Sequence, residues 1–189
     1  MPFLNELKQA TADLHQKTEE KLYASQIMEG TLLLSEYKHL LLTHFQFHGS
    51  LENELEKRNF GAETFDLESR RKLPALRKDL QEMNISEPEV ADLFSDWSDE
   101  QLLGACYVAE GSTLGGKVIE KHLRKSAELK SVPQFYFYGI YGEHTGEKWK
   151  VFLQFLAAQA STHPHQVVQG ACDAFRLFQV SAEHTQLSA

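Results

Sequence analysis

Glu110-Gly111-Ser112-Thr113-Leu114-Gly115-Gly116 puts three glycines into a stretch, Ser98 to Lys130, that is otherwise patterned as helix. Ser98-Asp99-Glu100-Gln101 opens it with a capping box: the serine hydroxyl can take the amide three residues on, and Gln101 can reach back. Leu102, Leu103, Tyr107, Leu114, Val118, Ile119 and Leu123 then recur at helical spacing, which predicts one long helix carrying a defect. A helical glycine costs about 1 kcal/mol against alanine, so Gly111, Gly115 and Gly116 together cost roughly 3 kcal/mol of a net stability of about 5–15 kcal/mol. Gly104, Val108, Gly111, Ser112 and Gly115 share one side of such a helix, a stripe of small residues that something flat can approach closely. That flat thing is either another helix or a planar ligand, and spacing alone leaves both open.

The chain has 189 residues, enough for one well-cored domain, and a single domain spanning 1–189 is expected. No apolar run approaches the eighteen or so residues of a membrane span. The start, Met-Pro-Phe-Leu-Asn-Glu, lacks the pattern of a secretory signal, so a cytoplasmic protein is expected. Cys106 and Cys172 are too few for a disulfide framework and sit in apolar helical patterns, as reduced structural thiols do. A net charge of −8 argues against a sequence-independent grip on nucleic acid.

Working outward, the spacing predicts a first helix from Phe3 to Leu22, with Leu4, Leu7, Thr11, Leu14, His15, Thr18 and Leu22 on or beside its inward side. Glu19 lies one turn beyond His15, where a carboxylate can hold one imidazole nitrogen and leave the other as a metal ligand. A second helix runs from Ser35 to Arg58. Its His44 and His48 lack an accompanying Glu-x-x-His pattern and suit a structural or polar-pocket role. Asn59-Phe60-Gly61 ends it, Phe65 to Arg71 is a short helix, and Leu73 to Met83 is another, with Pro74 in its first turn. Ser86-Glu87-Pro88-Glu89 reads as a capping-box start for a helix through Phe94, and Arg70, Arg71, Lys72, Arg77 and Lys78 as a solvated basic face. The aromatic stretch Pro133 to Gly142 suits a loop over a pocket. Thr145 to Gln159 and a last helix to His184, burying Val167, Val168, Ala171, Phe175, Phe178 and Val180, complete an all-α chain of seven to nine helices.

The candidate site therefore combines a histidine and its carboxylate, a glycine-bent helix, aromatics and scattered lysines. Nothing in the sequence forms a nucleotide-binding glycine loop, a zinc-spaced Cys/His cluster, or a nucleophile elbow around Ser112. A flat, apolar, dianionic ligand bearing a metal would use all these parts, which describes heme.

Four segments carry a family resemblance across most of the chain. Leu7 to His15 with Glu19 is similar to the proximal-helix signature of biliverdin-producing heme oxygenases of the bacterial group. Tyr107 to Gly116 resembles the distal-helix signature. Lys148 to Phe152 and Gln169 to Phe175 resemble two later segments. The resemblance implies a heme held between a proximal and a distal helix, with His15 as the iron ligand and Glu19 on its other nitrogen. Gly111, Ser112 and Gly115 are implied at the distal catalytic face, with Gly116 adding flexibility. Lys8 and Lys150 are implied for the propionates, Thr11 as a further contact, and Phe175 for packing on the ring. Mammalian members carry an aspartate where this chain has Ser112, and a tyrosine and an arginine at Cys106 and Val108. Bacterial members often carry the serine. The implied reaction consumes O2 and electrons from a ferredoxin or flavoprotein reductase and releases biliverdin, CO and ferrous iron. Two other classes compete. A heme carrier or sensor shares His15 and the lysines, and thiamine-degrading or di-iron enzymes share similar all-α folds. The latter need an active cysteine or facing Glu/His ligands, whereas Glu36 and His39 read as surface residues.

Overall fold

Ser98 Oγ accepts the Gln101 amide at 3.3 Å, and Gln101 Oε1 accepts the Ser98 amide at 2.9 Å, so the capping box forms as its spacing predicts. The computed structural model describes residues 2–61 and 64–186, and helix is the regular structure among them. The helices are α1 (Pro2–Lys21), α2 (Ala24–Glu29), α3 (Leu34–Lys57), α4 (Leu73–Glu82), α5 (Asp99–Gly111), α6 (Gly116–Leu123), α7 (Thr145–Gln159) and α8 (Pro164–Gln186). Single 3-10 turns lie at Glu68–Arg70 and Gly142–His144. The predicted bounds of α1, α3, α4 and α7 and the predicted end of α8 agree within two residues. The short α2 was not foreseen. It starts after Tyr23 and ends on Gly30, both in the left-handed region, and Gly30 takes φ 71° at little cost.

The core gathers around α3, α5 and α8. α8 packs along α5, α1 and α3, while α4 closes the far side of α3. Tyr37, Leu40, Leu41, Phe45, Leu51 and Leu55 of α3 are buried; Tyr37 stands edge-on to Phe135, and His44 and His48 meet Phe137, both phenylalanines coming from the aromatic stretch, which forms turns rather than a strand. The α5·α8 crossing is close because glycines face it from both sides. A Cβ on Gly104 would come within 2.5 Å of the Val167 carbonyl, and one on Gly170 within 2.5 Å of Gln101 Cα.

Four expectations need correction. The Ser98–Lys130 stretch is two helices, since α5 stops at Gly111 and the chain crosses residues 112–115 on shorter-range bonds. Thr113, Leu114 and Gly116 amides donate three residues back, to Glu110, Gly111 and Thr113, before α6 resumes. Ser86 to Phe94 is not helical. α3 side chains take over its backbone groups instead: Gln46 bonds both the Glu89 carbonyl and the Ala91 amide, and Ser50 Oγ accepts the Leu93 amide. Val180 is 46% exposed rather than core. His39 is buried, bonded to the Tyr23 hydroxyl at 2.7 Å and the Ala182 carbonyl at 2.6 Å.

Candidate functional site

Along α1, Lys8, Thr11, His15 and Glu19 recur at three and four residues and so share a side. His15 is 56% exposed, with Nδ1 3.5 Å from Glu19 Oε2. Its other nitrogen has no hydrogen bond to protein among the described residues. The buried Phe175 ring of α8 stands edge-on to the imidazole at 5.7 Å. Thr11 is buried and gives its hydroxyl to the Leu7 carbonyl at 2.8 Å. Lys8 and Lys150 are exposed and stand in no ion pair among the described residues.

α1 and α5 meet where Thr11 adjoins Tyr107. Burial pushes the Tyr107 phenol up, and the neighbouring Thr11 hydroxyl holds it down in part. Both helices also lean on α8, through Cys172 Sγ at the Ala10 carbonyl and through Gly104 at Ala171. One turn beyond the Thr11–Tyr107 contact lie His15 on one helix and Gly111 on the other, about 6 Å along each axis.

The stripe of small residues divides by what each glycine faces. Gly104 is spent on the helix crossing. A Cβ on Gly116 would lie 3.1 Å from the Tyr138 carbonyl carbon and closer still to its oxygen, so that glycine admits the aromatic loop. Gly111 and Gly115 are different. A Cβ on Gly111 would meet only the Trp149 ring at 3.9 Å, and one on Gly115 only the end of Ile119, at 3.4 Å. Leu114 and Val118 beside the break, and Val151 two residues after Trp149, are large apolar side chains left exposed. Ser112 donates its hydroxyl to the Ala109 carbonyl at 2.8 Å, and Thr113 does the same to Glu110 at 2.7 Å. Such back-bonding bends and ends helices.

Behind the break sits a buried ion cluster that the sequence reading did not find. Arg70 and Lys72, expected on a solvated face, are 5% and 3% exposed. Glu110 collects them: Arg70 Nη1 donates at 2.6 Å, Lys72 Nζ donates to its other oxygen, and the Tyr141 hydroxyl donates at 3.0 Å. Burial first, then the Glu110 charge, push the Tyr141 phenol up, and burial does the same to Cys106. A carboxylate at Glu110, one turn from Cys106 on the inward side of α5, was the signal that a buried cation pair must answer it. Glu52 accepts the amides of Lys72 and Leu73 at the start of α4, at 2.5 and 3.2 Å. Burial still raises its carboxyl above the usual range. His48, Glu52, Arg70, Lys72, Cys106 and Glu110 line a cavity of about 20 Å³, the size of one water molecule. His48 Nε2 is buried there without a protein partner, and burial holds its imidazole well below the ordinary value. No group of three or more metal-ligating side chains gathers among the described residues.

The described residues form an all-α core with an exposed histidine on α1 and an open glycine break between α5 and α6. Residues 1–184 match the family described as Heme oxygenase, and the chain belongs to that family. Among solved structures it is similar to the heme oxygenase of Leptospira interrogans, with 20% identity, 97% of this chain and 100% of that one covered, and a TM-score of 0.78. It is similar as well to heme oxygenase-1 of the cyanobacterium Synechocystis in complex with heme, at 16% identity, 97% and 92% coverage and a TM-score of 0.79. The NO- and CO-bound heme oxygenase of Neisseria meningitidis gives 20% identity, 97% and 92% coverage and a TM-score of 0.73. At these identities the likeness is one of fold. No curated protein sequence matches the chain.

Proposed function

We propose that this heme oxygenase binds heme through His15 and cleaves it oxidatively to biliverdin, CO and ferrous iron. The observation that carries the assignment of the site is the exposed His15–Glu19 pair one turn from a contact with the helix whose glycines are open. The residues fit the group. An imidazole free at one nitrogen suits iron, backbone bare at Gly111 and Gly115 suits a flat ring, and exposed Leu114, Val118 and Val151 suit its apolar faces. Lys8 and Lys150 are exposed cations for two propionates.

When bound, heme supplies an iron that takes O2 and electrons, and its own ring is the substrate. His15 would hold that iron, and Glu19 beside Nδ1 would fix its tautomer by accepting from that nitrogen. Phe175 limits rotation of the imidazole by its edge contact. Gly111 and Gly115 would present backbone rather than side chains to the heme. Ser112 contributes acceptor lone pairs, since its proton is given to Ala109.

Electrons come from an acidic donor such as a ferredoxin or a flavoprotein reductase. Lys117 and Lys121 on α6 and Lys125 just beyond its end are exposed cations in a chain of net charge −8, which favours such a partner. No helix among the described residues is long and apolar enough to cross a membrane.

The test is a visible spectrum of the protein with one equivalent of hemin, followed in air after adding ascorbate or a ferredoxin system. A histidine-type Soret band that decays as biliverdin absorption rises is expected. A Soret band that persists would overturn turnover in favour of a carrier or sensor.

A further inference from the structure

Residues 133–141 form neither helix nor strand, yet Phe135, Phe137, Tyr138 and Tyr141 are buried. A buried irregular segment must find partners for its backbone N–H groups. Two consecutive ones go to a single side chain: Asp79, on α4, accepts the Tyr136 amide at one oxygen and the Phe137 amide at the other, both at 2.8 Å. Asp79 is itself buried. The bonds within the loop are longer, with the Gly139 amide 3.2 Å from the Phe135 carbonyl and the Ile140 amide 3.3 Å from that of Phe137.

The next peptide carries the contact that matters. The Tyr138 carbonyl lies against Gly116, the first residue of α6, so closely that no Cβ fits between them. Three residues on, the Tyr141 hydroxyl reaches Glu110 at the end of α5. The loop thus supports the α5–α6 break from behind at Glu110 and Gly116, while Gly111 and Gly115 meet almost nothing in front.

We propose that Asp79 is a positioning residue for the heme site: by holding the Tyr136 and Phe137 amides it seats the Tyr138 carbonyl against Gly116, sets where α6 begins, and so fixes how Gly111 and Gly115 are presented. It acts through the loop. A carboxylate is suited to this because it accepts two N–H groups at once and does so more strongly than a neutral amide. Asparagine at the same place offers one acceptor and turns an NH2 toward the second donor. The link to the site rests on the heme oxygenase reading; the hold on the loop does not.

The test compares full-length wild type with Asp79→Asn and Asp79→Ala. Amide hydrogen exchange over residues 113–119 is expected to quicken at least about tenfold in both variants while α8 stays unchanged. With hemin and a reductant in air, Asp79→Asn is expected to alter the ratio of biliverdin isomers without changing the Soret band of the histidine-bound complex. A merely structural role would lower the yield and leave the ratio alone. Wild-type exchange at the break, or a uniform rise in every helix in both variants, overturns the proposal, and a wild-type isomer ratio overturns its link to the site. Should wild type never turn hemin over, the functional reading falls by itself, and the exchange comparison still decides whether Asp79 holds the break.

Discussion

Alanine at four glycines separates those spent on packing from those left for a ligand. Gly115 has φ −81° and ψ −5°, values alanine adopts freely, and its added Cβ would meet only the flexible end of Ile119 at 3.4 Å. Gly115→Ala is therefore expected to be neutral or to stabilise by about 0.4–1 kcal/mol, through a less free unfolded chain. Gly111→Ala, with 3.9 Å of clearance to Trp149, is expected to behave the same way. Gly104 is the opposite case. Its Cβ would sit 2.5 Å from the Val167 carbonyl and 2.6 Å from Gly170 carbonyl carbon, about 1 Å inside an ordinary contact, and both neighbours are backbone. α5 and α8 would have to part, at a cost of about 1–3 kcal/mol or more. Gly116→Ala faces the Tyr138 peptide and belongs with Gly104. Urea denaturation measures the four directly, and the two pairs are expected to differ by roughly 2–4 kcal/mol. Hemin titration and CO binding then run the other way for Gly115→Leu, which is expected to fold normally but lose affinity for the gas. A Gly115→Leu protein with wild-type CO affinity, or a Gly115→Ala protein as unstable as Gly104→Ala, would refute the division.

His15→Ala is expected to abolish biliverdin formation while leaving the urea midpoint close to wild type, since the side chain is largely exposed; full product yield would remove it as the iron ligand. Glu110→Gln leaves Arg70 and Lys72 buried without a counter-charge and is expected to cost about 3–5 kcal/mol in the same denaturation assay. An effect below about 1 kcal/mol would mean that the cluster is solvated in solution. Asp79 gives a pH signature. Burial pushes its carboxyl up to about 6 from an ordinary value of 3.8. The folded protein therefore binds this proton more tightly than the unfolded chain, and the contribution of Asp79 to stability falls as pH rises from about 4 to about 6. Measured against Asp79→Asn, wild type should lose on the order of 2–3 kcal/mol over that interval, and a pH-independent difference would contradict the shift.

What the sequence could reveal by itself was whatever depends on neighbours a few residues away. The capping box at Ser98, the ends of α3 and α7, and the His15–Glu19 spacing all follow from rules of one or two helical turns, and they appear in the structure where the spacing put them. The family signature around Tyr107 to Gly116 was legible for the same reason, being contiguous. Tertiary structure decided everything that turned on distant partners. Arg70 and Lys72 look like surface cations until Glu110, some forty residues on, draws them inside. Ser86 to Phe94 carries a helix-start pattern that loses to Gln46 and Ser50 on α3, which satisfy its backbone more fully than a short isolated helix would. Four glycines alike on paper take different work, because only the fold sets Val167 against Gly104 and Tyr138 against Gly116, and sets so little against Gly111 and Gly115. Helix propensity is local free energy and can be read along the chain. Burial and close approach are shared between segments, and their sign is settled only when those segments meet.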